Sequence, residues 1–123
     1  MSRWGFVPST EATLADIRFY PYAIPQSDWE PVRFAARVTR LGRALLNRMG
    51  LPRIHYVAAM HLVHALAPVF RKNRGEGLVR ELELVWIRWD GMGMNEELVR
   101  AVTCGLYRAM VGRPELEQGN GAR

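Results

Sequence analysis

Between Trp29 and Met49 the chain reads WEPVRFAARVTRLGRALLNRM, and this stretch constrains the fold more than any other. At about 100° per residue its side chains fall on two opposed arcs. Phe34, Val38, Leu41, Leu45, Leu46 and Met49 lie on one, while Arg33, Arg37, Arg40, Arg43 and Arg48 lie on the other, within roughly 140°. No acidic residue stands among the arginines, and none lies nearby in sequence to neutralise them. The stretch therefore predicts a helix about 30 Å long, docked on a core along one side and presenting guanidinium groups along the other.

The distribution of charge sharpens this picture. The net charge is +5 over 123 residues, but it is not evenly spread. Residues 1–30 carry two Arg and four acids, and residues 76–123 carry six Arg and eight acids. Residues 31–75 carry eight Arg, one Lys and no acid. A middle third of this kind suits a polyanionic partner. The length is one domain's worth, and the single Cys104 excludes an internal disulfide and a cysteine-rich metal site, in keeping with a cytoplasmic location. The N-terminus has no apolar core of a secretory signal. The long uncharged run, Ile54–Phe70, is seventeen residues with three His and a Pro, short of the usual ~20 for a membrane span.

Along the chain, residues 1–9 read as an arm, and a short helix is expected from Ser9 or Thr10 to about Phe19. Pro21 and Pro25 then impose an extended connection through Tyr20, Tyr22 and Ile24. For the arginine helix, Asp28 is the preferred cap, because it puts Pro31 in the permissive first turn; the alternative is a Ser27/Glu30 capping box. Gly50 ends this helix as its left-handed cap, and Leu51-Pro52 restarts the chain. The segment 53–70 has no polar face, which predicts the most buried helix of the molecule. Pro68 removes one of its hydrogen bonds and is expected to kink its last turn, with Arg71, Lys72 and Arg74 at the C-terminal end of the dipole. Leu78, Leu82, Val85 and Trp89 have helical spacing, although Leu82, Leu84 and Trp86 also alternate as in a strand. Helix is the expectation, since a strand here has only the proline-broken Ile17–Ile24 to pair with. Asn95 caps a final helix whose stripe is Leu98, Val99, Val102, Leu106, Ala109 and Met110. The expected fold is all-α, a single-domain bundle of about five helices over residues 1–112, followed by a polar, disordered tail over 113–123.

No catalytic pattern emerges. His61 and His64 are three apart, but zinc needs further ligands, and His55 lies on another side of the segment. These read as core or helix-edge histidines, and Cys104 reads as a buried small thiol. Glu96 and Glu97 suit the first turn of a helix, and Glu81/Glu83 point apart from each other. Phosphate-binding, dinucleotide and nucleophile-elbow patterns are missing. The expectation is a protein with no catalytic residues, no metal and no cofactor.

Residues 41–59 also fit the spacing of a helix-turn-helix, with Gly50 as the turn glycine. Its second helix then offers Tyr56, Ala59, Met60 and Val63 where polar base-reading side chains are needed. The basic arc points instead to backbone contact, for which the planar fork of Arg is suited. With about five helices, the basic face of Arg33, Arg37, Arg40, Arg43 and Arg48, the apolar segment Ile54–Phe70 and no catalytic residues, the chain resembles the small helical subunits of CRISPR effector ribonucleoproteins. That resemblance implies a non-catalytic subunit, cytoplasmic and part of antiviral defence. Such a subunit supports an RNA or single-stranded DNA backbone beside other protein subunits, further copies of itself among them, and not at a membrane. A reading from a different class is a protein–protein adaptor or regulator whose arginine face meets an acidic partner.

Overall fold

The computed structural model describes residues 22–111, and within them every regular element is helical. A single 3-10 turn, Gln26–Asp28, precedes four α-helices: α1 (Pro31–Met49), α2 (Arg53–Lys72), α3 (Gly75–Gly91) and α4 (Glu96–Met110). The all-α expectation holds. The helix expected before Phe19 and the tail after residue 112 lie outside the described residues.

Local signals set most of the boundaries. Glu30, not Asp28, caps α1: its carboxylate accepts from the Arg33 amide at 3.1 Å, and Pro31 takes the first helical position, where no amide is needed. Asp28 instead closes the 3-10 turn and is used elsewhere. Gly50 ends α1 at φ 63°, the left-handed region that costs a Cβ-bearing residue energy. The Asn95 side chain accepts from Leu98 N at 3.0 Å to start α4. The segment that could be read as helix or strand is helix throughout α3. α2 continues through Pro68, whose side chain is exposed, to Lys72. Its end is tied by Arg74, whose Nη1 donates to the carbonyls of Phe70 (3.0 Å), Arg71 (3.3 Å) and Asn73 (2.8 Å).

α1 and α2 form an antiparallel hairpin whose backbones approach closely where Gly42 meets Val63. α4 packs against α1, α2 and α3, whereas α1 and α3 do not touch each other. That topology corrects the expectation about burial. The most buried helix is α4, with ten of its fifteen residues inaccessible, not Ile54–Phe70. In α2 one flank is indeed core, with Ala59, Leu62, Val63, Leu66, Ala67 and Phe70, but Ile54 and Val57 face solvent at 75% and 48% exposure. α2 and α4 each pack against the other three helices, so the difference lies in the residues: the small side chains of Ala101, Thr103, Cys104 and Gly105 let the neighbours of α4 come close, while Ile54 and Val57 in the first turns of α2 stay exposed. Within its expected stripe only Ala109 turns out exposed.

The end of the bundle is closed by aromatic rings. Tyr22 forms an antiparallel bridge with Val111, and Ala23 N donates to Met110 O at 2.7 Å. The Tyr22 ring stacks with Trp29 at 6.0 Å between centroids and meets Phe70 and Tyr107 edge-on, each at 6.0 Å. The Arg74 guanidinium lies 4.0 Å from the Trp29 centroid and 5.0 Å from that of Tyr22. Trp29 Nε1 donates to Ile24 O at 3.1 Å, and Arg71 Nε donates to Trp29 O at 2.7 Å. These bonds fix the chain segment that leads into α1, and so fix where its arginines begin.

Candidate nucleic-acid interface

The buried side of α1 is Phe34, Val38, Gly42, Leu45, Leu46 and Met49. With these facing α2 and α4, helical geometry turns the opposite side outward, and Arg33, Arg40, Arg43 and Arg48 are all exposed there. Among the described residues, none pairs with the guanidinium of Arg33, Arg40 or Arg43. Arg33 and Arg43 are ten residues apart, about 15 Å along the axis. Three fixed charges over that length, on one rigid element, can meet more than one phosphate of a nucleic-acid backbone.

Arg37 behaves differently. It is half-buried, and its Nη1 lies 3.0 Å from Asp28 Oδ2, with the two side chains 35% and 30% exposed. The expectation that no acid lies near enough to neutralise the arc is therefore corrected. Asp28 is nine residues before Arg37 in sequence, and the 3-10 turn folds it back over the first turns of α1. A charge already paired and hydrogen-bonded has less to offer a phosphate. The arc thus divides into an outward set (Arg33, Arg40, Arg43 and Arg48) and one arginine that ties the entry segment to the helix.

Sequence reasoning missed Arg74 and the aromatic cluster beneath it. Each of Tyr22, Trp29 and Phe70 was visible, but nothing in their spacing says that three elements bring them to one point. Burial pushes the Tyr22 hydroxyl well above its usual value near 10, against the lowering influence of Arg74. That hydroxyl is buried and has no hydrogen-bond partner among the described residues, so it stays protonated and takes no part in acid–base chemistry near neutrality.

Of the positions that a helix-turn-helix would turn to base edges, Ala59 and Val63 are buried and Tyr56 and Met60 are half-buried, and the two helices pack on each other. Of the histidines, His61 and His64 are exposed at the helix edge and His55 is half-buried. Cys104 is inaccessible. Among the described residues no three His, Cys, Asp or Glu side chains are grouped so as to hold a metal ion, and no helix is long and apolar enough to cross a membrane.

Beside a cleft of about 350 Å³ between Pro31 and Ala35 of α1 and His64 and Pro68 of α2, two larger clefts border these elements. One, of about 610 Å³, is walled by Ile54, Ala58, Trp89, Met92, Met94 and Leu98 at the start of α2. It is apolar, with His55 and His61 at its rim. The other, of about 430 Å³, lies between α3 and α4 and carries Glu83, Asp90 and Glu96 with Arg100 and Trp86. Neither adjoins the arginine side of α1. Compared with protein-family profiles, with characterised proteins and with solved structures, the chain matches none.

Proposed function

We propose that the chain is a non-catalytic helical subunit of a nucleoprotein assembly, of the kind implied by its resemblance to the small subunits of CRISPR effector complexes. Its α1 face contacts the backbone of RNA or single-stranded DNA. The observation that carries the reading is the outward row of Arg33, Arg40 and Arg43, each exposed and unpaired among the described residues. Arg48 prolongs the row, while Arg37 serves the entry segment. Backbone contacts hold a nucleic acid without reading its bases, so the function is support rather than sequence selection.

The test is a triple variant, Arg33→Gln/Arg40→Gln/Arg43→Gln, which keeps helix propensity nearly intact. With mixed-sequence RNA and single-stranded DNA, each lost phosphate contact should flatten the dependence of log affinity on log salt by about 0.7. Arg37→Gln alone should change it less. The loss should be equal for unrelated sequences. An unchanged slope in the triple variant, with nucleic acid still co-purifying, refutes the reading. Loss of an acidic protein partner instead, with nucleic acid retained, puts the adaptor reading in its place.

A further inference from the structure

The two helices that carry the positive charge of the middle third also enclose a cleft. Neither α1 nor α2 contains an Asp or Glu. The cleft, of about 350 Å³, lies between the first turns of α1 and the last turns of α2. Phe34, Ala35 and Ala67 line it between Pro31 and Pro68, and His64, Arg71 and Lys72 complete its wall. His64 and Lys72 are exposed and have no partner among the described residues. Arg71 gives its Nε to Trp29 O, which leaves the two terminal nitrogens of its fork. Two carboxylates precede α1, and both are engaged: Glu30 accepts from the Arg33 amide, and Asp28 pairs with Arg37. The cleft thus has an apolar floor and a lip of basic side chains with no acid among them.

Size and position say what such a cleft can take. A cavity of about 150 Å³ holds a benzene ring, so one of about 350 Å³ has room for a nucleobase. The apolar floor suits the face of that ring, and the basic lip suits the phosphate next to it. The floor side chains offer no polar atom to a base edge, so the base is held without being read. Ala35, Thr39 and Arg43 follow one another at intervals of four on the flank of α1 next to α2. That line leads from the cleft to the exposed Arg43, about 12 Å further along the axis. A backbone lying on Arg43 therefore runs within reach of the cleft. A duplex cannot fill it without first unpairing and unstacking a base, which costs energy that a single strand does not spend.

We infer that the cleft between α1 and α2 seats one unpaired base of the strand whose phosphates lie on α1, so that the site is one for single-stranded nucleic acid. The inference rests on the nucleic-acid reading of α1 and adds a base pocket to it.

The experiment uses the full chain with two fluorescent probes of equal length and charge, an oligodeoxythymidylate and an abasic deoxyribose-phosphate oligomer. Binding is followed by anisotropy at fixed salt. The base-bearing strand should bind about tenfold more tightly, the gain expected from one seated base. Ala35→Leu extends an apolar side chain into the cleft and should bring the two affinities together. His64→Glu/Lys72→Glu, at two exposed positions, should weaken the base-bearing strand. Equal affinity for the two probes in the unaltered protein overturns the inference. It leaves the α1 reading standing where Arg33→Gln/Arg40→Gln/Arg43→Gln still weakens both probes. Failure of the protein to bind either probe overturns both proposals. A preference for bases that survives Ala35→Leu overturns the pocket alone. Where that variant also lowers the thermal melt, the cleft is occupied by the protein's own chain instead.

Discussion

A close approach of α1 and α2 rests on one missing side chain, that of Gly42, and replacing it gives a sharp test of the packing. A Cβ built on Gly42 falls 2.6 Å from Val63 Cγ1 and 2.8 Å from Val63 Cγ2. Carbon atoms in ordinary contact sit about 3.5–4.0 Å apart, so Gly42→Ala requires a displacement on the order of 1 Å. Val63 cannot easily yield, because it is fully buried and β-branched, with one strongly preferred χ1 in a helix. The relief must come from separating α1 and α2. Overpacking of a filled core costs typically about 1–3 kcal/mol, and a contact this short belongs at the upper end. Against it stands the helix-propensity gain of Gly→Ala, about 1 kcal/mol. The net expectation is a loss of about 1–2 kcal/mol, or roughly 3–12 °C in Tm for a domain of this size.

The built-in control is Gly105, whose Cβ would meet Leu45 Cδ2 at 3.0 Å and Cδ1 at 3.1 Å. Those are the far ends of a flexible side chain, and a shift of a few tenths of an ångström suffices, so Gly105→Ala should be neutral or slightly stabilising. Denaturant melts at constant m-value measure both. Val63→Ala in the Gly42→Ala background removes the two offending methyls, so the pair should couple by about 1 kcal/mol or more instead of adding. A Gly42→Ala protein as stable as the parent, or a strictly additive double variant, refutes the close approach of α1 and α2 at this point.

Leu62 is fully buried in α2, and Leu62→Ala should cost about 2–5 kcal/mol in denaturant melts; a negligible shift contradicts its place in the core. Trp86 Nε1 donates to Thr103 Oγ1 at 3.1 Å, and that hydroxyl donates to Val99 O at 2.8 Å. Thr103→Val strands the indole donor and should cost about 1–3 kcal/mol, whereas Thr103→Ser keeps the bond and should lose less, with indole fluorescence reporting the difference. Tyr22 has its folded-state pKa raised by burial, so its contribution is fully present below the unfolded value near 10 and is lost as pH climbs through and above it. Tyr22→Phe should flatten the fall in stability above that pH in alkaline melts, and an unchanged alkaline limb counts against the burial of the hydroxyl.

What the sequence made legible was what local physics decides alone. The amphipathic split of α1, the Gly50 cap and the Asn95 cap are each settled within a turn or two of chain, and the structure agrees with them. α3 as helix follows from the spacing of Leu78, Leu82 and Val85, and among the described residues no strand stands ready for LVWIRW to pair with. The errors have a common cause. Asp28 was assigned to a cap by its position before Pro31, while its actual partner is Arg37, brought near by a turn whose direction local rules do not give. α2 reads as the most buried helix on its apolar content, yet Ile54 and Val57 are exposed, Ile54 at the wall of an open cleft that it shares with Trp89 and Leu98. α4 is the more deeply buried because Ala101, Thr103 and Gly105, which carry little hydrophobicity, are small enough to let its neighbours come close. α2 and α4 have the same three helical neighbours, so burial depends on how closely those neighbours approach along the segment, and apolar content does not encode that distance.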